Sequence, residues 1–141
     1  MKNAICTTVG ILGSYVASLF GGWTASLTTL VVFMGMDYFS GLIVAGVFHN
    51  SPKTESGALE SRAGFKGLIR KMMILVFVLI GHRLDIAVGT TYIRDAVCIV
   101  YIANELLSIV ENAGLMGIPI PAVITNAIDV LKKKEVTDKT V

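Results

Sequence analysis

The chain has 141 residues, of which 54% are hydrophobic and 16% are charged, and its mean hydropathy is +0.74. This composition is more apolar and less charged than that of an ordinary soluble domain, so it excludes that class and predicts an all-α integral membrane protein. The net charge of +2 is small, and its placement along the chain is more informative than its total.

The apolar sequence is long enough for about four membrane crossings, because about 20 apolar residues cross a bilayer as a helix. Residues 1–118 are expected to form the membrane domain, and 119–141 a short amphipathic cytoplasmic tail. Within the membrane domain, the sequence predicts a basic cytoplasmic loop at 49–71 and transmembrane helices at about 4–20, 24–48, 72–89 and 92–113.

Small residues recur at every fourth position of the first predicted span. In lipid, small side chains at this spacing let another helix approach closely. We therefore expect a packing face that meets either span two or a second copy of the chain, and both alternatives stay open here. The residues of this face are Gly10, Gly13, Ser14, Ala17, Ser18 and Gly21.

The second predicted span carries Asp37 near its middle. A carboxylate at that depth costs on the order of 3 kcal/mol on insertion scales, so its side chain is expected to face a partner or a wet cavity. Gly41 and Ala45 follow at intervals of one helical turn. We predict that these two small residues form a further helix-packing face.

The loop after span two has an excess of positive charge, which indicates the cytoplasmic side of a membrane. The tail residues Lys132, Lys133 and Lys134 agree, so both termini are expected in the cytoplasm and the connections near Trp23 and Thr91 outside. Nucleic-acid binding is disfavoured because no aromatic pattern accompanies the charge. The loop charges are Lys53, Arg62, Lys66, Arg70 and Lys71, against Glu55 and Glu60.

Span three ends with His82, Arg83 and Asp85. His82 and Asp85 are three residues apart and share a helical face, but no third ligand or nucleophile has a suitable spacing. A structural or pore-side polar cluster is therefore favoured over a catalytic or metal site, and no cofactor is expected. Cys6 and Cys98 lie inside predicted spans and are expected to be small buried apolar residues.

Span four is amphipathic at membrane depth. Its polar residues fall within an arc of about 140° at 100° per residue, and this stripe must line either water or other polar helices. A sealed internal hydrogen-bond network and an aqueous lining both satisfy the pattern. The stripe comprises Arg94, Cys98, Tyr101, Asn104, Glu105, Ser108, Glu111 and Asn112, and the candidate pore-lining residues of the whole chain are Asp37, Asp85, Asn104, Glu105, Ser108 and Glu111.

Several segments, in this order, resemble the phage lysis holins and the clostridial toxin-secretion holins. They are DYFSG from Asp37 to Gly41, GFKGLIRK before span three, Asp85, ELLSIVEN from Glu105 to Asn112, and GIPIP from Gly117 to Pro121. The resemblance implies a small non-enzymatic protein of the bacterial host cell membrane. Such proteins accumulate, form homo-oligomers and permeabilise the membrane, so that an endolysin or a large toxin passes.

A second hypothesis is a small ion channel or transporter subunit. In that case Asp37, Asp85 and Glu105 would form an ion path. The sequence lacks an evident inverted repeat or filter segment, so pore formation of the holin kind is the favoured interpretation.

Overall fold

The computed structural model describes residues 1–139, with side chains to residue 137. Residues 140 and 141, the end of the predicted tail, lie outside the described residues. The described chain contains no strand and confirms the predicted all-α class. Its five helices are α1 (Lys2–Leu19), α2 (Ala25–Gly46), α3 (Ser61–Val88), α4 (Ile93–Leu115) and α5 (Ala122–Lys139).

Among the described helices, only α2 is both long and apolar enough to cross a membrane by length and composition, with 22 residues and a mean hydropathy of 1.7. The expected count of four spans is not confirmed by this measure. A physical reason is visible in α3 and α4, which carry charged side chains along their lengths, among them Asp85 and Glu105. Whether these helices suit a membrane therefore depends on how their charges are compensated.

The core of the protein is built around α4, which packs against α2, α3 and α5. Gly81 on α3 allows a close approach to α4: a Cβ atom at this position would lie 3.1 Å from Cα of Arg94. Even a methyl group at this crossing would require α3 and α4 to separate by a few tenths of an ångström. The buried side chains of the core are Leu27, Leu30, Met34, Val78, Cys98 and Ile102.

Helix α1 stands apart from this core, since none of its residues is buried. A Cβ atom built at Gly10 or Gly13 would find no neighbouring atom within 4 Å in the described chain. The small-residue face of α1 thus does not pack against α2. Contact with the bundle comes after the helix, where Phe20 lies against the core.

Helix α3 begins at Ser61, well before Met72, where the third span was expected to start. The second half of the predicted basic loop is thus helical, and the connection between α2 and α3 is shorter than expected. Arg, Lys and Leu have favourable helix propensities, so the basic segment is the N-terminal part of α3, without a break. Its charges therefore occupy fixed positions on a helical surface.

Helix α5 folds back along α4. Its Ile128 is 5% exposed, and Leu131 packs against the core that contains Ile102. The turn before it includes Gly117 with φ 78°, a left-handed conformation that favours glycine. The amphipathic pattern predicted for this segment is present, but its apolar side lies on α4, and a free cytoplasmic tail is not confirmed.

Candidate functional site

Three charged side chains from three helices meet inside the bundle. Nζ of Lys71 lies 2.6 Å from Oδ2 of Asp37 and 2.7 Å from Oε2 of Glu105. Asp37 and Glu105 are each 5% exposed, and only 13% of the Lys71 side chain is accessible. One ammonium group thus bridges two largely buried carboxylates, and we call Asp37, Lys71 and Glu105 the charge cluster.

A hydrogen-bond network extends the charge cluster along α2 and α4. Nδ2 of Asn112 donates to Oδ1 of Asp37 at 3.1 Å and to Oγ of Ser40 at 2.8 Å. Every buried side-chain nitrogen or oxygen in the described part of the chain has a hydrogen-bond partner. In a single chain these polar groups are therefore satisfied internally, as burial in a medium of low dielectric requires.

The structure divides the polar stripe of α4 into an inner and an outer part. Glu105 and Asn112 are buried in the network, whereas Asn104 and Glu111 are exposed and Ser108 is half-buried. Of the other candidate pore residues, Asp37 joins the charge cluster. The stripe is thus partly sealed and partly open in the single chain.

Asp85 is far from the charge cluster. It lies 14 residues after Lys71, which is about 21 Å along a helix at 1.5 Å per residue. Its carboxylate accepts hydrogen bonds from Oγ1 of Thr90 at 2.6 Å, from the backbone N–H of Ile93 at 2.9 Å and from that of Arg94 at 3.0 Å. These are unpaired donors of the first turn of α4, so Asp85 caps that helix in the single chain.

Arg94 links the same end of the bundle to the connection between α1 and α2. Its Nη1 donates to the carbonyl oxygens of Phe20 at 2.9 Å and Gly21 at 3.1 Å. A side chain at Gly21, which has φ 80°, would collide with His82 and Arg94. Gly21, predicted as a helix-packing residue, thus lies at this tight junction. Gly41 and Ala45 lie on α2, where Ala45 is buried and Gly41 faces Asn112 on α4.

A cavity of about 450 Å³ leads from the surface to the charge cluster. Its buried end is lined by Asp37, Lys71 and Glu105, together with Ser108. Its outer part lies between α2, the start of α3 and the connection between them. Four cationic side chains line this outer part: Lys53, Arg62, Lys66 and Arg70.

Sequence reasoning missed the central member of the charge cluster. Lys71 was counted with the loop, and Asn112 was recognised only as part of the stripe. A signal was present, since a lone carboxylate in an apolar span needs a partner and Lys71 is the cation closest to the apolar part of span three. No group of three or more His, Cys, Asp or Glu residues within the described chain is arranged to hold a metal ion.

These features define a small helical protein with a strongly apolar helix and buried, compensated charge. The sequence pattern of the bacteriophage holin family matches residues 14–133. The chain therefore belongs to the bacteriophage holin family, which implies that it is a membrane protein and suggests that it is not an enzyme.

Similar proteins come from bacteria and from a phage. A probable holin of Bacillus phage phi105 is 33% identical over 117 residues, which cover 82% of this chain and 80% of the relative. Uncharacterised proteins of Halalkalibacterium halodurans and Listeria innocua are 39% and 40% identical, covering 96% and 92% of this chain and 98% and 89% of the relatives. No solved structure matches the chain.

Proposed function

We propose that the chain is a holin-like pore former, which oligomerises in the bacterial cytoplasmic membrane and permeabilises it. The proposed result is the release of a cell-wall hydrolase or a toxin, as in host cell lysis. The observation that carries the proposal is the charge cluster within a member of the holin family. A single copy hides the polar groups that a water-filled lesion needs.

The polar groups then have two states. In the single chain, Glu105 and Asp37 share the ammonium group of Lys71. In a lesion, water replaces that partner, and the lining would comprise the candidate pore residues of α2 and α4, with Asn104, Ser108 and Glu111 already at or near the surface. Opening of the buried ion pair is feasible because water then hydrates both charges, which recovers the free energy that their desolvation had cost.

The surface for self-association is proposed to lie on α1. The face with Gly10, Gly13, Ser14, Ala17 and Ser18 has no partner helix within the described chain. Such faces drive helix association in lipid through close contact. A second copy is therefore the proposed partner of α1.

The proposed topology has four spans, formed by α1 to α4, with both termini in the cytoplasm. Internal pairing supports it, since Lys71 and Asp85 of α3 and Glu105 of α4 all have partners inside the protein. In this topology α5 cannot keep the position along α4 that it has in the single chain. Lys132, Lys133 and Lys134 follow Leu131 directly, and three lysines at membrane depth are costly, so α5 leaves α4 and lies at the cytoplasmic surface.

Cysteine labelling tests this topology. With the exposed native Cys6 replaced by Ser, the variants Ser56→Cys and Thr137→Cys are treated with an impermeant thiol reagent in intact cells before leakage begins. Neither should react until the membrane is opened with detergent. Labelling at residue 137 but not at 56 would mean that α5 stays along α4 and crosses the membrane.

A second candidate function is a small ion channel or transporter subunit. The cavity that connects the surface with Asp37 and Glu105 favours it, because buried carboxylates reached by water are common in ion paths. In this alternative a single chain or a small assembly conducts ions, and no folded protein passes.

One experiment separates the two functions. The chain is expressed in bacteria from an inducible promoter, and membrane potential and leakage of a folded cytoplasmic protein are followed over time. Delayed, abrupt leakage of protein is the expected result for the proposed pore former. A graded loss of potential without protein release would contradict it and favour the channel.

A further inference from the structure

The outer part of the cavity carries cationic side chains that make no ion pair with any described residue. Among the described residues, Lys53, Arg62, Lys66 and Arg70 make no ion pair, because the cations that do so are Lys71 and Arg94. Glu60 is the one carboxylate in this part of the lining. The opening of the cavity therefore has a net positive charge.

Three of these cations form a row on α3. Arg62, Lys66 and Arg70 follow one another at intervals of four residues, which places them on one face of the helix. Like charges at this spacing destabilise a helix. An anion bound between them would remove that repulsion, so the row has the chemistry of an anion site.

An apolar groove adjoins the cationic row. The groove has a volume of about 590 Å³ and shares five residues with the lining of the cavity: Tyr38, Leu42, Leu59, Glu60 and Gly64. The rest of its wall is formed by Ser61, Phe65 and Leu68 of α3, of which Phe65 is 64% exposed and Leu68 is 47% exposed. A cationic surface and an exposed apolar groove thus share one boundary.

We propose that this site binds one anionic phospholipid. The phosphate group would lie against the row of Arg62, Lys66 and Arg70, and an acyl chain would lie in the apolar groove. A soluble phosphate would contact the cations but leave Phe65 and Leu68 uncovered, so the groove favours a lipid. In a membrane protein the phospholipids of the bilayer are adjacent to such a site.

Native mass spectrometry of the full chain in a nonionic detergent tests the proposal. Phosphatidylglycerol and phosphatidylcholine with the same acyl chains are titrated separately, and bound lipid per chain is counted. One phosphatidylglycerol should bind in strong preference. Each cation near an anionic headgroup contributes roughly fivefold in affinity, so Lys66→Gln combined with Arg70→Gln should weaken binding about 25-fold.

The matched control removes the same charge elsewhere, through Lys132→Gln combined with Lys133→Gln on α5, and should leave binding unchanged. Equal losses in both double variants would overturn the proposal, since binding would then depend on net charge alone. Circular dichroism checks that the helices persist. If the Lys66 and Arg70 variant loses helix, Phe65→Ser decides, because this exposed residue contributes to the groove and not to the row.

Phe65→Ser should weaken phosphatidylglycerol binding severalfold without changing any charge. Unchanged binding would contradict the acyl-chain part of the site. Inorganic phosphate at millimolar concentration distinguishes the two sources of the anion. It should fail to displace the lipid, and full displacement would show a site for phosphate alone, which overturns the assignment to a phospholipid.

Discussion

The substitution Lys71→Met tests the charge cluster most directly. Met keeps most of the length and apolar character of the lysine stem but removes the ammonium group, which lies within 2.7 Å of both carboxylates. Asp37 and Glu105 would then be two buried carboxylates without a cation. Removal of one partner from a buried ion pair typically costs 3–5 kcal/mol, and we expect a loss of about 4 kcal/mol in the free energy of unfolding.

The triple variant Asp37→Asn, Lys71→Met, Glu105→Gln separates the loss of charge pairing from the loss of shape. It removes all three charges while the side chains keep similar volumes. Removal of one partner from a buried ion pair is costly because it leaves an uncompensated buried charge, and the triple variant leaves no such charge. The triple variant should therefore regain most of the stability that Lys71→Met loses.

Chemical denaturation of the purified proteins in detergent measures both effects, with circular dichroism as the signal. Lys66→Met on the same helix is the control, because this residue is exposed and makes no ion pair within the described chain. The control should change stability by about 0.5 kcal/mol or less. Two results would refute the conclusion that Lys71 stabilises the fold by pairing with the two buried carboxylates. One is a stability of Lys71→Met equal to that of Lys66→Met, and the other is a triple variant no more stable than Lys71→Met.

Substitutions at Gly81, Gly13 and Glu105 test the crossing of α3 and α4, the free face of α1 and the stripe of α4, respectively. Gly81→Leu should destabilise the fold by about 1–3 kcal/mol in the same denaturation assay, since the added side chain meets Arg94. Gly13→Leu should delay leakage and reduce crosslinked oligomers more than Leu19→Ala does, and no change in either readout would show that this face has no partner. Glu105→Leu should block or strongly delay permeabilisation, whereas Glu105→Gln should only alter its timing; normal leakage from the Leu variant at matched abundance would exclude this face from the lumen.

The all-helical fold was predictable because apolar runs of about 20 residues are typical of membrane-spanning helices. The burial of Asp37 also followed from elementary energetics, since an isolated carboxylate in an apolar helix must find a partner. The two possible surroundings of Asp37 are both present in the structure. It is paired with Lys71, and it lies at the inner end of the cavity.

The identity of that partner was not predictable from local pattern. Lys71 lies 34 residues after Asp37 and 34 before Glu105, and no helical period relates positions on three different helices. Its apparent membership of a loop came from counting charges near span ends, whereas α3 continues through that segment without a break. Charge counting gives the side of the membrane on which a segment is expected, but it does not show where a helix begins.

The position of α5 shows a second property that the sequence pattern does not predict. The amphipathic pattern of residues 122–134 predicts an apolar side but does not say what that side contacts. Membrane surface and neighbouring helix offer similar apolar contact, and the structure has Ile128 buried and Leu131 on the core. The proposed topology moves α5 to the membrane surface because Lys132, Lys133 and Lys134 follow Leu131 directly, and accessibility at Thr137 distinguishes the two positions.

The contacts that α4 makes within a single chain predict which step of the proposed assembly comes first. The inner polar side of α4 is held by α2 and α3 through Glu105 and Asn112. A second copy therefore cannot reach this side of α4 at first, whereas no residue of α1 is buried. Contacts through α1 should precede the opening of the charge cluster, because association of small faces in lipid needs no break of a buried ion pair. It follows that substitutions on α1 should change the onset of crosslinking, while substitutions in the charge cluster should change leakage after oligomers have formed.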